Sequence, residues 1–401
     1  MNGPLAGVKV LELGTLIAGP FAARVLAEFG ADVIKVEDPD GGDPLRRWRH
    51  LHQGTSLWWA VQARNKKSVA LNLKDPRACA LARQLALQAD IVIENFRPGV
   101  LDKLGLGYAQ LAEQNPATIM IRLSGYGQTG PMRERPGFGA IGEAMGGIRH
   151  VTGYPDRPPV RIGLSIGDSI AALHAVAGAL MALRYRDATG GAGRGRGQMV
   201  DVALYESVFN MMESAVPEYD RFGVVRERTG TSLPGIVPSN TYTCGDGAAI
   251  VVGGNGDAIF KRLMAAVGRP DLGDDPRLAH NDGRVPRAGE IDAAIQQWCS
   301  RQPIDQALAA LEQAQVPASR IYSVADMFRD PQFAARAMIE EHALGDGTPL
   351  KVPAIVPKLS ETPGRTRWLG PALGEHTDEV LGSIGVSRAQ IDELRRDGAI
   401  L

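Results

Sequence analysis

Cysteine is scarce: the 401 residues hold three, Cys79, Cys244 and Cys299, with no Cys-x-x-Cys pair and no cysteine–histidine cluster. Neither a disulfide framework nor a zinc site is expected to organise the fold, and the pattern suits a reducing compartment. Excess charge is also missing, with 44 basic against 45 acidic residues and a net charge of −1. So balanced a chain gives no electrostatic footprint for nucleic acid or an anionic membrane. No apolar run approaches the ~20 residues that span a bilayer. The start, Met1-Asn-Gly-Pro-Leu-Ala-Gly7, lacks the basic and apolar segments of a secretory signal. The expectation is a cytoplasmic protein with no membrane and no nucleic-acid partner. A glycine-lysine phosphate loop is absent. What is plentiful is glycine, 48 residues, with 26 prolines. Such a chain is rich in turns, which suits an enzyme with loop-borne contacts. Its length exceeds one ordinary core, so more than one domain is expected.

Val8–Leu13 reads as a strand, Pro20–Phe29 as a helix stopped by Gly30, and Asp32–Glu37 as a second strand. Strand, helix and strand within about thirty residues make a βαβ unit. The alternation returns with a helix at Asp75–Gln88 and buried strands at Asp90–Ile93 and Thr118–Leu123. It predicts an open α/β sheet covered on both faces. A helix is predicted from Asp168 to Arg186, then a strand at Met199–Leu204. Thr241–Val252 reads as a hairpin around Asp246-Gly247, followed by helices at Asp257–Val267, Glu290–Arg301 and Ile304–Ala314. A last helix is predicted at Thr377–Ile384. The division is a large domain over 1–215, a smaller α/β domain over 216–328, and a segment over 329–401 that returns to the large one.

Asp168 stands where a glycine-broken loop becomes a long apolar helix. The orphan N–H groups and the positive end of the helix dipole favour its ionised form. A carboxylate beside an acyl donor is a nucleophile; the alternative is a plain helix cap. Gly163-Leu-Ser165-Ile-Gly167 matches a hydrolase nucleophile elbow, which requires a strand directly before it. Gly14 and Gly19 of the first βα turn do not complete a dinucleotide fingerprint, although Glu37 ends the next strand, where the ribose acid would sit. His174 lies six residues after Asp168, off its helical face. Lys66, Lys67, Lys74, Arg97 and Lys103 surround strand ends, where open sheets bind ligands. Together they point to an anionic, nucleotide-like ligand; singly, each reads as solvated rim.

Ordered blocks then carry a resemblance: Val10-Leu-Glu-Leu13 with Ala18-Gly-Pro20; Gly30-Ala-Asp-Val-Ile-Lys-Val-Glu37; Asn65-Lys-Lys-Ser-Val-Ala-Leu-Asn-Leu-Lys74; Glu94-Asn-Phe-Arg-Pro-Gly99; Leu123-Ser-Gly-Tyr-Gly127; Gly167-Asp168; Gly197-Gln-Met-Val-Asp201; and Gly374-Glu-His-Thr377. In this order the chain resembles the family III CoA-transferases, the CaiB/BaiF family, over nearly its whole length. The resemblance implies two domains, a larger Rossmann-like one and a smaller α/β one, in an interlocked homodimer, with coenzyme A as part of substrate and product and no metal or redox cofactor. It places Asp168 at the nucleophile position. It implies coenzyme A contacts at Ala18, Leu71, Asn72, Leu73, Lys74, Asn95, Phe96, Arg97 and Lys103, with Arg135 and Phe138 near the thioester. Gly139 departs from relatives that carry an acid there; Glu143, one turn on, is the candidate substitute, and Gly167 is a further candidate beside the reacting oxygens. Ile17 replaces the glutamine of formyl-transferring relatives, and the glycine-only loop of those relatives has no clear counterpart, which argues against formate or oxalate. Arg161 and Arg135 suit the distal carboxylate of a dicarboxylic acid. The expectation is CoA transfer from an acyl-CoA, succinyl-CoA foremost, to a small dicarboxylate through an aspartyl-CoA thioester. Three alternatives stand beside it. A racemase of the same fold typically uses a His-Asp pair where this chain has Phe138-Gly139, and phenylalanine exchanges no proton. The others are a Ser165 hydrolase and a non-catalytic acyl-CoA-binding protein.

Overall fold

The structure is a computed structural model and describes residues 3–191 and 194–401. The chain forms two compact units. The first holds the chain up to Ile148, then Ile162–Glu213 and Ala334–Leu401; the second holds Arg149–Arg161 and Ser214–Phe333. A division into three consecutive stretches misses the excursion at Arg149–Arg161. That segment is tied within the second unit: Arg228 donates to the His150 carbonyl at 2.9 Å, and the Gly230 N–H donates to Gly153 O at 2.9 Å.

In the first unit six strands form one sheet: β1 Lys9–Glu12, β2 Asp32–Glu37, β3 Lys66–Ala70, β4 Ile91–Glu94, β5 Ile119–Ser124 and β6 Met199–Ala203. Their order is β3-β2-β1-β4-β5-β6, and every pairing is parallel. All carboxyl ends therefore share one edge. The chain adds strands on one side of β1 and then on the other, so the topological switch lies between β1 and β4, the usual ligand crevice of such sheets.

Five helices of this unit matter here: α1 Ala18–Glu28, α2 Pro76–Gln88, α3 Gly139–Met145, α4 Ile166–Gly190 and α5 Leu204–Phe209. Helix α2 starts where it does because Asp75 accepts the N–H groups of Arg77 and Ala78, with Pro76 already fixed in a helical φ. Period-2 alternation sends Val10, Val33, Ile91, Ile93 and Ile121 to one face, against α1 and the alanines Ala171, Ala172, Ala175 and Ala179 of α4. Leu11, Val36, Val69, Val92 and Met120 go to the other, against Ala78, Ala82 and Leu85 of α2. Sheets buried on both faces read as continuous apolar runs, which is why these strands were legible.

The apolar-run expectation needs correction at α4. This 25-residue helix is long and apolar enough to cross a membrane by length and composition alone. One side of it is core of the open sheet. The side that carries Leu173, Leu180, Met181 and Tyr185 is exposed.

The second unit has a three-stranded antiparallel sheet of β7 Ser239–Thr243, β8 Ala249–Gly253 and β9 Ala318–Arg320, in the order β9-β8-β7. It packs with α6 Asp257–Ala266, α7 Ala288–Cys299 and α8 Ile304–Gln313 around Ile250, Phe260, Leu263, Ile291, Ile295 and Leu311. The returning segment adds a hairpin, β10 Ile339–Ala343 with β11 Pro349–Pro353, and two helices, α9 Thr377–Ser383 and α10 Arg388–Arg396. Helix α10 lies beyond the last predicted helix. Its signal was present: Ser387 and Gln390 form a reciprocal capping box.

Candidate active site

Helix α4 begins at Ile166, two residues before Asp168, with Ser165 at its N-cap position. Asp168 therefore sits in the first turn and does not occupy the cap position. Its carboxylate lies over Gly139, the first residue of α3. A Cβ built on Gly139 would stand 2.0 Å from Asp168 Oδ2 and 2.6 Å from Cγ. The absence of a side chain at 139 is what makes room for the carboxylate. Glu143, one turn along α3, is 1% exposed and lies against Gly167. The Gly167 N–H points to Glu143 Oε1 at 3.5 Å. Glu143 thus reaches the backbone beside Asp168 from behind.

Glycines also set the approach of α3. A Cβ at Gly142 would meet Leu204 at 2.8 Å, and one at Gly146 would meet Val208 at 2.6 Å. Gly139, Gly142 and Gly146 form one helical stripe that lets α3 press against α4 and α5. Just before it, Gly137 crosses Gly125, in the glycine-rich loop that follows β5, so closely that a Cβ on either would stand 2.8 Å from the other's Cα. This crossing fixes where the segment Arg135–Phe138 runs. Arg135 and Phe138 are both exposed, Phe138 at 66%. In the same loop two N–H groups are committed within the protein: Gly127 donates to Ser124 Oγ at 3.0 Å and Gln128 to Asp201 Oδ2 at 2.9 Å.

The residues expected to meet coenzyme A lie along the carboxyl edge of the sheet. Leu71, Asn72, Leu73 and Lys74 follow β3; Asn95, Phe96 and Arg97 follow β4; Ala18 opens α1 after β1. Lys74, Arg97 and Lys103 are exposed cations. Leu71 is core, 1% exposed, so only its backbone is at that edge. Asn95 is spent on the fold: its Oδ1 accepts the Thr15 N–H and its Nδ2 donates to Thr15 O, both at 2.8 Å. Gly14 and Gly19 flank that amide, and a Cβ on Gly14 would stand 2.8 Å from Asn95 Oδ1. Here the turn's glycines serve an asparagine clamp rather than a pyrophosphate.

Several sequence-derived roles are corrected by burial. Lys66 and Lys67 begin β3, at the amino edge, away from the ligand edge. Lys66 is buried, with Nζ 2.6 Å from Glu12 Oε2, and Lys67 pairs with Glu379 at 3.1 Å. Glu37 binds no ribose: it holds Arg46 at 2.7 Å and accepts the Ser68 hydroxyl at 2.6 Å. Burial pushes the Glu37 carboxyl up, but Arg46, Lys35 and Ser68 outweigh it and hold it below the usual carboxylate range. No strand precedes Ser165, since residues 158–165 are irregular, so the nucleophile elbow lacks its context. Ser165→Ala is expected to leave kcat/KM within about threefold, because the Ser165 side chain makes no capping hydrogen bond at the start of α4; steady-state assays of the purified variant check this. Arg161 belongs to the second unit.

A family model for CoA-transferase family III matches residues 5–377. A succinyl-CoA–D-citramalate CoA-transferase of Chloroflexus aurantiacus is 50% identical over 381 residues, 94% of this chain and 93% of that protein. The succinyl-CoA–L-malate CoA-transferase beta subunit of the same organism is 42% identical over 98% of this chain and 97% of its own. Among solved structures, a CaiB/BaiF family protein from Brucella suis aligns with a TM-score of 0.81 at 34% identity, covering 96% of this chain and 100% of that one. With nearly the whole chain matched and the fold shared, the protein belongs to CoA-transferase family III and is a CoA-transferase.

Proposed function

We propose that the enzyme moves CoA from succinyl-CoA to a short dicarboxylic acid, with Asp168 as the covalent carrier. The single observation that carries the reading is the Asp168 carboxylate in the first turn of α4, seated in the space that the missing side chain of Gly139 leaves. An Asp168 oxygen attacks the succinyl thioester carbon, and the C–S bond breaks to release CoA thiolate. The thiolate attacks Asp168 Cγ in the mixed anhydride, expelling succinate and leaving an aspartyl-CoA thioester. An acceptor carboxylate then attacks Cγ and frees the thiolate, which takes the acceptor's acyl carbon and restores the Asp168 carboxylate. Charge and atoms balance without an external acid or base.

The names of the relatives, which specify D-citramalate and L-malate as acceptors and succinyl-CoA as donor, support the substrate class. Arg135, exposed just before α3, suits the acceptor's distal carboxylate. The cationic rim of Lys74, Arg97 and Lys103 suits the phosphates of coenzyme A. A second copy of the chain is the proposed cover for Leu173, Leu180, Met181 and Tyr185 of α4, whose exposure exceeds what a lone soluble surface needs. We place the enzyme in the cytoplasm, where its three free thiols fit a reducing medium.

Trapping tests the chemistry. Protein incubated with succinyl-CoA and no acceptor, then treated with borohydride or hydroxylamine and digested, is expected to carry one modified residue, Asp168. Modification confined to any other residue overturns the reading.

A further inference from the structure

Leu16 adopts φ +66, the left-handed region that side chains other than glycine rarely enter. It lies in the loop between β1 and α1, at the carboxyl edge and beside the switch point. Three consecutive residues of that loop are each held by a different buried or half-buried side chain. Lys35 Nζ donates to Gly14 O at 2.7 Å. Asn95 takes both backbone polar groups of Thr15 at 2.8 Å. Asp43 accepts the Leu16 N–H on both oxygens, at 3.0 and 3.1 Å. Asp43 is 1% exposed, also accepts the Leu45 N–H at 2.9 Å, and stands 2.9 Å from Lys35 Nζ. Lys35 in turn donates to Glu12 Oε1 at 2.7 Å. Ile17 is the N-cap residue of α1, and Ala18 is its first residue. Thr15 and Leu16 are the half-exposed positions of the loop.

Strain of this kind persists only where the surroundings over-determine it, and it gathers at ligand sites. We infer that Asp43 is a positioning residue for coenzyme A: by holding Leu16 left-handed it sets the loop surface at Thr15–Ala18 on which the thioester arm of the ligand lies. This rests on the reading above that the carboxyl edge at Ala18 binds coenzyme A. Asp43 itself touches no ligand, and its effect passes through the backbone of residue 16.

The test is CoA binding by calorimetry on the full-length protein. Asp43→Asn keeps the size but loses the second acceptor and the charge facing Lys35; it is expected to weaken CoA binding at least tenfold. Leu16→Gly and Leu16→Ala are then each combined with it. Both remove the leucine side chain, but glycine alone enters the left-handed region at no steric cost. The glycine double variant is expected to bind at least fivefold more tightly than the alanine one, a difference that a merely structural role of Asp43 would not produce. Equal affinities for the two double variants, or unchanged binding by Asp43→Asn, overturn the inference. If the amide variant fails to fold, Asp43→Glu carries the same test, because it keeps the charge but shifts the acceptor oxygens by a methylene. Loss of CoA binding by the unsubstituted protein would sink the proposed function as well; normal binding and Asp168 trapping with an indifferent Asp43 would sink only this inference.

Discussion

Asp168→Asn will bind succinyl-CoA but turn over at least about 10⁴-fold more slowly, the scale of loss seen when a covalent nucleophile is removed. Asparagine has nearly the shape of aspartate, so the first turn of α4 and its contact with Gly139 should survive. What disappears is the anionic oxygen. An amide is a poor nucleophile toward a thioester and cannot become the aspartyl-CoA carrier. The readouts are kcat from exchange of labelled succinate into succinyl-CoA, and the mass of the protein after incubation with donor. A variant that retains exchange within about tenfold of the parent would show that transfer runs directly between donor and acceptor.

Gly139→Ala is the second large effect, and it is the less obvious one. The new methyl would stand 2.0 Å from Asp168 Oδ2, where ordinary contact begins at 3.4 Å. The carboxylate must retreat by more than an ångström. Gly139 does not have a positive φ and opens a helix, so alanine is tolerated by the backbone. The global fold should therefore hold while the Asp168 carboxylate is displaced. Misplacement of a reacting group by about 1 Å costs on the order of 10² in rate, so kcat is expected to fall about 100-fold with KM for succinyl-CoA changed far less. Thermal melting separates this from unfolding: a melting temperature within a few degrees of the parent, together with the kcat loss, is the expected pair. Unchanged kcat would show that the carboxylate works from a position away from Gly139.

These two residues differ in how visible they were. Asp168 could be singled out from the chain because a carboxylate at the start of a long apolar helix is a chemical signal in one dimension. Gly139 reads at first as a deficiency, an acid missing where related enzymes carry one. Its place with Gly142 and Gly146 on one helical stripe emerged only in the structure. So did what that stripe faces, because α4 and α5 follow it at a distance in sequence. The same holds for the lysines. Lys66 and Lys67 sit in a basic run that invites a phosphate, yet Lys66 is consumed by Glu12, more than fifty residues away, and Lys67 by Glu379. Pairing partners so remote leave no local pattern. Asn95 and Asp43 are further cases: each is an ordinary polar residue in the sequence, and each proves to hold one residue of the loop between β1 and α1.

The amino-acid order alone determined the parallel α/β sheet and most of its elements. Burial on both faces and helix starts at capping residues are short-range rules written in apolar period and in a few polar residues. It also determined the family, through ordered blocks of motif. The folded structure alone decided which charged groups are exposed and which neutralise one another. It decided that Arg149–Arg161 joins the second unit, and that α10 follows the last expected helix. It decided, too, that a glycine's missing side chain is the space in which the Asp168 carboxylate sits. Those outcomes depend on distances between segments far apart in the chain, and only packing fixes such distances.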